Sequence, residues 1–222
     1  MKDLTILYYS SNYLKPFVLE RVRDELVKVK GEHTKIVSVT QKPIGFGHNI
    51  CVGDIGRCIY NIYRQILIAA MFADTDYVAC AEDDILYNEQ HFKYRPKEDE
   101  FAYNMNRWGL DSRGFYYYRP WVGMCCCVAP RRLLIEALTE RLALYPDAIP
   151  MGVPQPAEPG KRDKKFGLKE QKLVKFHTDA PVVIFNHRTQ VGGKRKVLET
   201  DRLEAWIKPW GDAYETFDRF WK

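Results

Sequence analysis

The amino-acid sequence predicts the α/β class: one domain with a mostly parallel central sheet flanked by helices. Three observations carry this expectation. An apolar run from Leu4 to Tyr9, a helical segment and a second run from Lys35 to Val39 give the β-α-β order that demands a crossover and a parallel pair. A third run, Tyr77 to Cys80, is apolar at every position, as a strand buried on both faces must be. Between the second and third runs lies a long apolar pattern of period 3.6. With 222 residues, 46% of them hydrophobic and 28% charged, the chain suits a single domain over 1–222 with one sizeable core.

Each element follows from its residues. Ser10, Ser11 and Asn12 supply turn and N-cap chemistry after the first strand. The helix that follows runs to about Lys30, with an apolar stripe of Phe17, Val18, Val22, Leu26 and Val29, Pro16 in its first turn and Gly31 at its end. Gly45, Gly47, Gly53 and Gly56 fit neither the dinucleotide nor the P-loop spacing, so this stretch reads as a structural loop. Ile55, Cys58, Ile59, Ile62, Tyr63, Ile66, Leu67 and Ala70 then mark one helix face, and Arg57, Asn61, Arg64 and Gln65 the other. Phe101–Tyr103 and Phe115–Tyr118 suggest short strands, and Met124–Val128 a buried one. Trp121 suits either the core or stacking on a ring-shaped ligand. Pro130 opens a helix striped by Leu133, Leu134, Ala137, Leu138 and Leu142. Prolines crowd the loop 146–165, a linker or lid; Pro181–Phe185 is the last strand, and the aromatic tail from Glu204 forms one or two short helices.

Composition narrows the partners. No stretch approaches the roughly 20 apolar residues of a membrane span, and the amino terminus passes into a strand without a leader pattern, so a cytoplasmic location is expected. Cys51, Cys58, Cys80, Cys125, Cys126 and Cys127 show no paired CxxC spacing, and small buried hydrophobes are expected there. Between Gly160 and Lys196, eleven Lys or Arg face three acids, so a net charge of +5 conceals a segment of +8 and a remainder of −3. Such a segment concentrates anionic partners, nucleoside diphosphates or a nucleic acid backbone, unless it is simply a solvated loop.

The candidate chemistry sits after the third apolar run, where Glu82, Asp83 and Asp84 stand in a row. Carboxyl ends of strands are where open α/β sheets bind ligands. Glu82 and Asp84 project to one side of an extended chain, two hard oxygen ligands suited to Mg²⁺ or Mn²⁺ when substrate phosphates complete the shell. His187, delivered by the last strand, is a third candidate ligand. Arg57, in the first turn of its helix, is placed to reach a phosphate, and the Gly192-Gly193 pair lets Lys194 and Arg195 fold back over phosphates.

This combination resembles a GT-A fold (Rossmann-like) glycosyltransferase, with Glu82-Asp83-Asp84 as counterpart of the family's Asp-x-Asp motif and Glu in its first position. The resemblance covers about the first 130 residues and is anchored again at Pro181–Lys196. It implies a nucleoside diphosphate sugar, a UDP-sugar above all, bound over residues 1–130, with the acceptor side in 131–222. Mn²⁺ or Mg²⁺ would bridge Asp84 and the diphosphate, Asp83 would join the donor site, and Tyr8, Tyr9, Ser10 and Ser11 would face nucleobase and ribose. An inverting enzyme also needs a carboxylate base late in the fold, for which Glu170 and Asp163 are the candidates. Similar small phage-type enzymes act on hydroxymethylated bases, which would make DNA the acceptor and require the base to leave the duplex. Cell-surface saccharides, lipid-linked sugars and protein hydroxyls compete for that place. Two other classes stay open, a sugar-phosphate nucleotidyltransferase and a nucleic-acid-binding module without catalysis.

Overall fold

The computed structural model describes residues 4–146, 155–191, 193–198 and 200–222. Its strands are β1 (Leu4–Ser10), β2 (Lys35–Thr40), β3 (His48–Cys51), β4 (Tyr77–Glu82), β5 (Ile85–Leu86), β6 (Glu100–Asn104) and β7 (Arg107–Asp111). They continue with β8 (Phe115–Tyr118), β9 (Cys127–Pro130), β10 (Lys172–Phe176), β11 (Val182–Asn186), β12 (Leu203–Glu204), β13 (Trp206–Ile207) and β14 (Gly211–Asp212). The helices are α1 (Pro16–Val29), α2 (Ile59–Phe72), α3 (Glu89–Lys93), α4 (Arg131–Leu144) and α5 (Ala213–Trp221).

The first sheet has seven strands in the order β10-β6-β9-β4-β1-β2-β3. It is mostly parallel, as expected; only β9 runs against its neighbours β4 and β6. Period-2 alternation along β1 divides the core. Leu7 and Tyr9 pack with α2 and α4 on one face, while Leu4, Ile6 and Tyr8 pack on the other with Leu26 of α1, Phe92 of α3 and Val182 and Ile184 of β11. A second sheet, β12-β8-β7-β11-β5, was not foreseen. Its central strand β7 reads RWGLD, polar at both ends, yet both ends are buried: Asp111 is ion-paired with Arg113, and Arg107 donates to the Trp121 carbonyl. At its middle, Gly109 lets the Tyr117 ring of β8 cross the strand, since a Cβ there would lie 2.1 Å from the ring.

Several expectations shift. Ser10–Asn12 do not cap α1, whose N-cap is Lys15 without a side-chain bond. The second long helix starts at Ile59, because Gly53 and Gly56 take positive φ ahead of it, so Arg57 lies in the preceding loop. Asn61 and Gln65, on the helix face opposite the apolar stripe, are buried: Gln65 Nε2 donates to the Ser10 and Val39 carbonyls at 2.9 and 2.8 Å and ties α2 to the ends of β1 and β2. Met124–Cys126 form a 3-10 turn, and the strand begins at Cys127. Cys51 is exposed on the edge strand β3, whereas Cys80, Cys125, Cys126 and Cys127 are the small buried hydrophobes expected. The tail folds as the β13–β14 ribbon and one helix. Much of the proline-rich loop lies outside the described residues.

Asp163, a candidate base, is buried in an ion pair with the equally buried Arg141 and also accepts from the Gly160 and Gln171 backbone N–H groups at 2.8 and 3.0 Å. Its oxygens are committed to holding the approach to β10 against α4. Glu170 lies exposed just ahead of the edge strand β10, not on a helix. Asp163→Asn strands the Arg141 charge, so it is expected to cost about 3–5 kcal/mol in urea unfolding; unchanged stability would return Asp163 to the catalytic candidates.

Candidate functional site

The parallel register sets Tyr9 of β1 beside Glu82 of β4, so both strands end at one sheet edge. There a cavity of about 510 Å³ opens, within the size range of small-molecule sites. Of the residues expected at a donor site, Tyr9, Ser10, Ser11, Arg57, Glu82, Asp83, Asp84, His187 and Arg195 line it. Tyr8, Lys194, Asp163 and Glu170 do not. Tyr8 points to the opposite face of the sheet, edge-on to Phe46. Lys194 is drawn to Asp111 of the second sheet at 3.3 Å.

The three acids do not share one geometry. Asp83 and Asp84 form a turn between β4 and β5, and this breaks the extended alternation that would have aligned Glu82 with Asp84. Glu82 Oε1 accepts from Tyr9 Oη at 2.6 Å, and Asp83 accepts from the Ser10 hydroxyl. Asp84 Oδ2 receives His187 Nε2 and Gln190 Nε2, each at 3.0 Å. His187 Nδ1 is met by Thr189 Oγ1 at 2.7 Å. Both ring nitrogens are therefore engaged, and His187 orients Asp84 where a metal ligand was expected.

Electrostatics separate the acids further. Burial, reinforced by Cys125 and Asp84, pushes Glu82 well above the ordinary carboxylate range. Burial and the neighbouring Asp84 raise Asp83 to about 6. Asp84 is equally buried, yet the hydrogen bonds from His187 and Gln190 overcome that penalty and hold it below its ordinary value. The site thus presents one firmly ionised carboxylate beside two that resist ionisation.

Sequence reasoning missed the basic wall of the cavity. Arg107 opens β7 and Arg119 follows β8, and nothing local marks either as more than a surface charge. Arg107 is only 5% exposed; its Nη1 donates to the Trp121 carbonyl at 2.8 Å, and its Nε has no partner among the described residues. A Cβ at Gly123 would lie 2.5 Å from that guanidinium, so glycine makes the room. Burial and the Arg107 charge depress Arg119, whose Nε and Nη1 also lack partners among the described residues. Arg195 is held by Asp201 at 2.8 and 2.9 Å and lies over the Tyr117 and Trp121 rings, each 4.9 Å away. Trp121 thus stacks on arginines. At the mouth, Arg57 lies 4.2 Å over the exposed Tyr13 ring.

Among the described residues, no three His, Cys, Asp or Glu converge as a preformed metal shell. The donors nevertheless fit a hard divalent ion whose remaining ligands come from substrate. Asp84 is held in its ionised form and its Oδ1 is buried without a hydrogen-bond partner among the described residues, an oxygen open to a cation.

No protein-family model matches the chain, and no curated protein matches it in sequence. Similarity appears in three dimensions. A glycosyltransferase involved in glycosylation of the major capsid of PBCV-1 superposes with a TM-score of 0.50 at 11% identity, over 82% of this chain and 92% of that one. A mannosyltransferase from Pyrobaculum calidifontis, solved with GDP-Man and Mn²⁺, gives 0.48 at 10% identity, over 83% of this chain and 58% of that one. The glycosyltransferase GlyE of Streptococcus pneumoniae TIGR4 gives 0.46 at 13% identity, over 79% of this chain and 45% of that one. The chain thus spans about half the length of the last two. A mostly parallel sheet flanked by helices, its acidic edge and the PBCV-1 likeness together show the GT-A glycosyltransferase fold.

Proposed function

We propose that this chain is a metal-dependent glycosyltransferase that moves a sugar from a nucleoside diphosphate sugar, a UDP-sugar first, to an acceptor hydroxyl. One observation carries the reading: an ionised Asp84 with an uncommitted oxygen lines the same cavity as the unpartnered donors of Arg107 and Arg119. A diphosphate with a divalent ion satisfies both at once. The GT-A fold makes this chemistry the first to test, by analogy of fold.

In this reading Tyr9, Ser10 and Ser11 receive nucleobase and ribose, with Tyr13 and Arg57 at the rim. Asp84 would hold Mn²⁺ or Mg²⁺ through Oδ1, with Asp83 beside it. Such an ion, when bound, supplies positive charge against the diphosphate oxygens. Arg107 and Arg119 donate hydrogen bonds to the same leaving group as its charge grows, and burial makes those bonds strong because water does not compete. Tyr9 fixes the Glu82 carboxyl at the cavity wall. Exposed Lys164, Lys165, Lys169 and Arg188 support a polyanionic acceptor, for which DNA carrying hydroxymethylated bases is our proposal.

Thermal-shift and hydrolysis assays of nucleoside diphosphate sugars, with and without Mn²⁺, should show metal-dependent stabilisation by one donor. Asp84→Ala should abolish turnover while leaving the protein folded, and a fully active Asp84→Ala would refute the reading. Arg119→Ala should lower kcat on the order of 10²-fold, the scale of losing one preorganised donor to a developing anion; an unaltered kcat would remove Arg119 from the diphosphate site.

The raised Asp83 has a signed consequence. The unfolded chain ionises Asp83 near 3.8 and the folded one at about 6, so this group's contribution to stability falls as pH rises through that window and stays at its low level above it. Asp83→Asn should therefore raise Tm at about pH 7.5 but not at about pH 4. Mn²⁺, which offsets the same repulsion, should raise the wild-type Tm more at about pH 7.5 than at about pH 5. An equal Mn²⁺ effect at both values would place the ion elsewhere.

A further inference from the structure

The proposed transfer makes no use of Cys125 and Cys126, whose placement gives them a chemistry of their own. Both lie in the 3-10 turn Met124–Cys126, which sends their sulfurs into the same core layer with Sγ to Sγ 3.9 Å. Cys127, the next residue, packs in the opposite layer. Cys126 is fully buried. Cys125 is 4% exposed, yet it lines both the main cavity and a neighbouring one of about 300 Å³, so a small solute in either cavity meets its side chain. The hydrogen bond between the thiols lowers Cys126 and raises Cys125 relative to an ordinary thiol.

The pair is also wired to the acidic edge. Tyr87 Oη donates to the Cys125 carbonyl at 2.9 Å and accepts from the Glu82 backbone N–H at 3.0 Å. The Cys125 backbone and the strand end that carries Glu82 are thus joined through one phenol. Glu82 and Arg107 line both cavities, so the consequence falls where the ligand is proposed to sit.

We propose that Cys125 and Cys126 form a peroxide-sensitive dithiol, reversibly oxidised to a disulfide that displaces the acidic edge of the cavity. One sulfur takes an oxygen from hydrogen peroxide, giving a sulfenic acid and one water. The other attacks that sulfur, forms the S–S bond and releases the second water, so two thiols are oxidised for one peroxide reduced. Consecutive Cα atoms stand about 3.8 Å apart, whereas unstrained disulfides span about 4.4–6.8 Å. Closure must therefore bend the turn, and a bridge under strain is readily reduced again.

The binding half of the test rests on the donor reading above; the chemical half does not. The full chain is treated with hydrogen peroxide and peptide-mapped by mass spectrometry, titrated separately with phenylarsine oxide, and assayed for nucleoside diphosphate sugar binding with Mn²⁺. The expected result is loss of two hydrogen masses at Cys125–Cys126, regained with dithiothreitol, and one equivalent of arsenical bound. The oxidised protein should bind the donor at least about tenfold more weakly. Cys126→Ser should bind no arsenical bridging both positions, and peroxide should leave its donor binding unchanged. A dithiol that stays reduced while the exposed Cys51 oxidises would overturn the proposal. So would an oxidised dithiol with unaltered donor binding, or a Cys126→Ser protein that peroxide still weakens. Should Cys126→Ser fail to fold, mapping and binding of the wild type decide alone. If neither redox form binds any donor, the donor reading falls, and the arsenical titration and the Tm change on oxidation decide the dithiol.

Discussion

The Asp84 carboxylate, gripped by His187 and Gln190, is the interaction on which the site depends. It joins the end of β4 to the loop after β11 across a sequence separation of 103 residues. The Phe185 N–H donates to the Asp84 carbonyl at 2.9 Å beside it, and β5 pairs with β11 in the same place. Together these contacts hold the second sheet against the carboxyl edge of the first. That sheet carries Arg107 and brings Arg119 to the cavity, so the grip on one carboxylate also positions the basic wall across from it. A buried carboxylate is costly unless hydrogen bonds satisfy it. Here one oxygen is satisfied, and the other has no hydrogen-bond partner among the described residues.

The cavity is consequently polarised before anything enters it. Acids from the end of β4 and arginines of the second sheet line the same cavity, and within each group one charge is favoured and another resisted: Asp84 is lowered while Glu82 and Asp83 are raised, and Arg107 is raised while Arg119 is lowered. Neither side fully neutralises the other. Strain of this kind persists where the rest of a fold over-determines the geometry. Two apolar layers of the first sheet and a third around α1, α5 and the second sheet supply that determination.

The buried amides make the same point on a smaller scale. Gln65 donates to the carbonyls at the ends of β1 and β2, and Asn61 donates to the Ile55 and Gly56 carbonyls of the glycine-bearing loop. These groups rigidify the strand ends and the loop that frame Ser10, Ser11 and Arg57. Their polarity, which on a helix normally marks the solvent side, is spent on backbone acceptors that would otherwise lie buried and unpaired.

By itself the sequence determined what short-range physics can determine. Continuous apolar runs demanded the buried strands β1, β2 and β4, the 3.6 period demanded α2 and α4, and the abrupt change from Cys80 to Glu82-Asp83-Asp84 marked the sheet edge at which the cavity opens. The tertiary structure decided everything that required distant residues to meet. Strands β3 and β10 lie on sheet edges and are half solvated, so their patterns stayed weak. Strand β7 was not read from the sequence because its polar ends, Arg107 and Asp111, are buried only through contacts with the Trp121 carbonyl and with Arg113. The contacts within the site likewise came from packing. His187 meets Asp84 and Thr189 through its two nitrogens, and Asp163 is buried against Arg141. The charge and burial of a side chain are local only when it faces water. Inside the fold they belong to its partners, and only the three-dimensional arrangement names those.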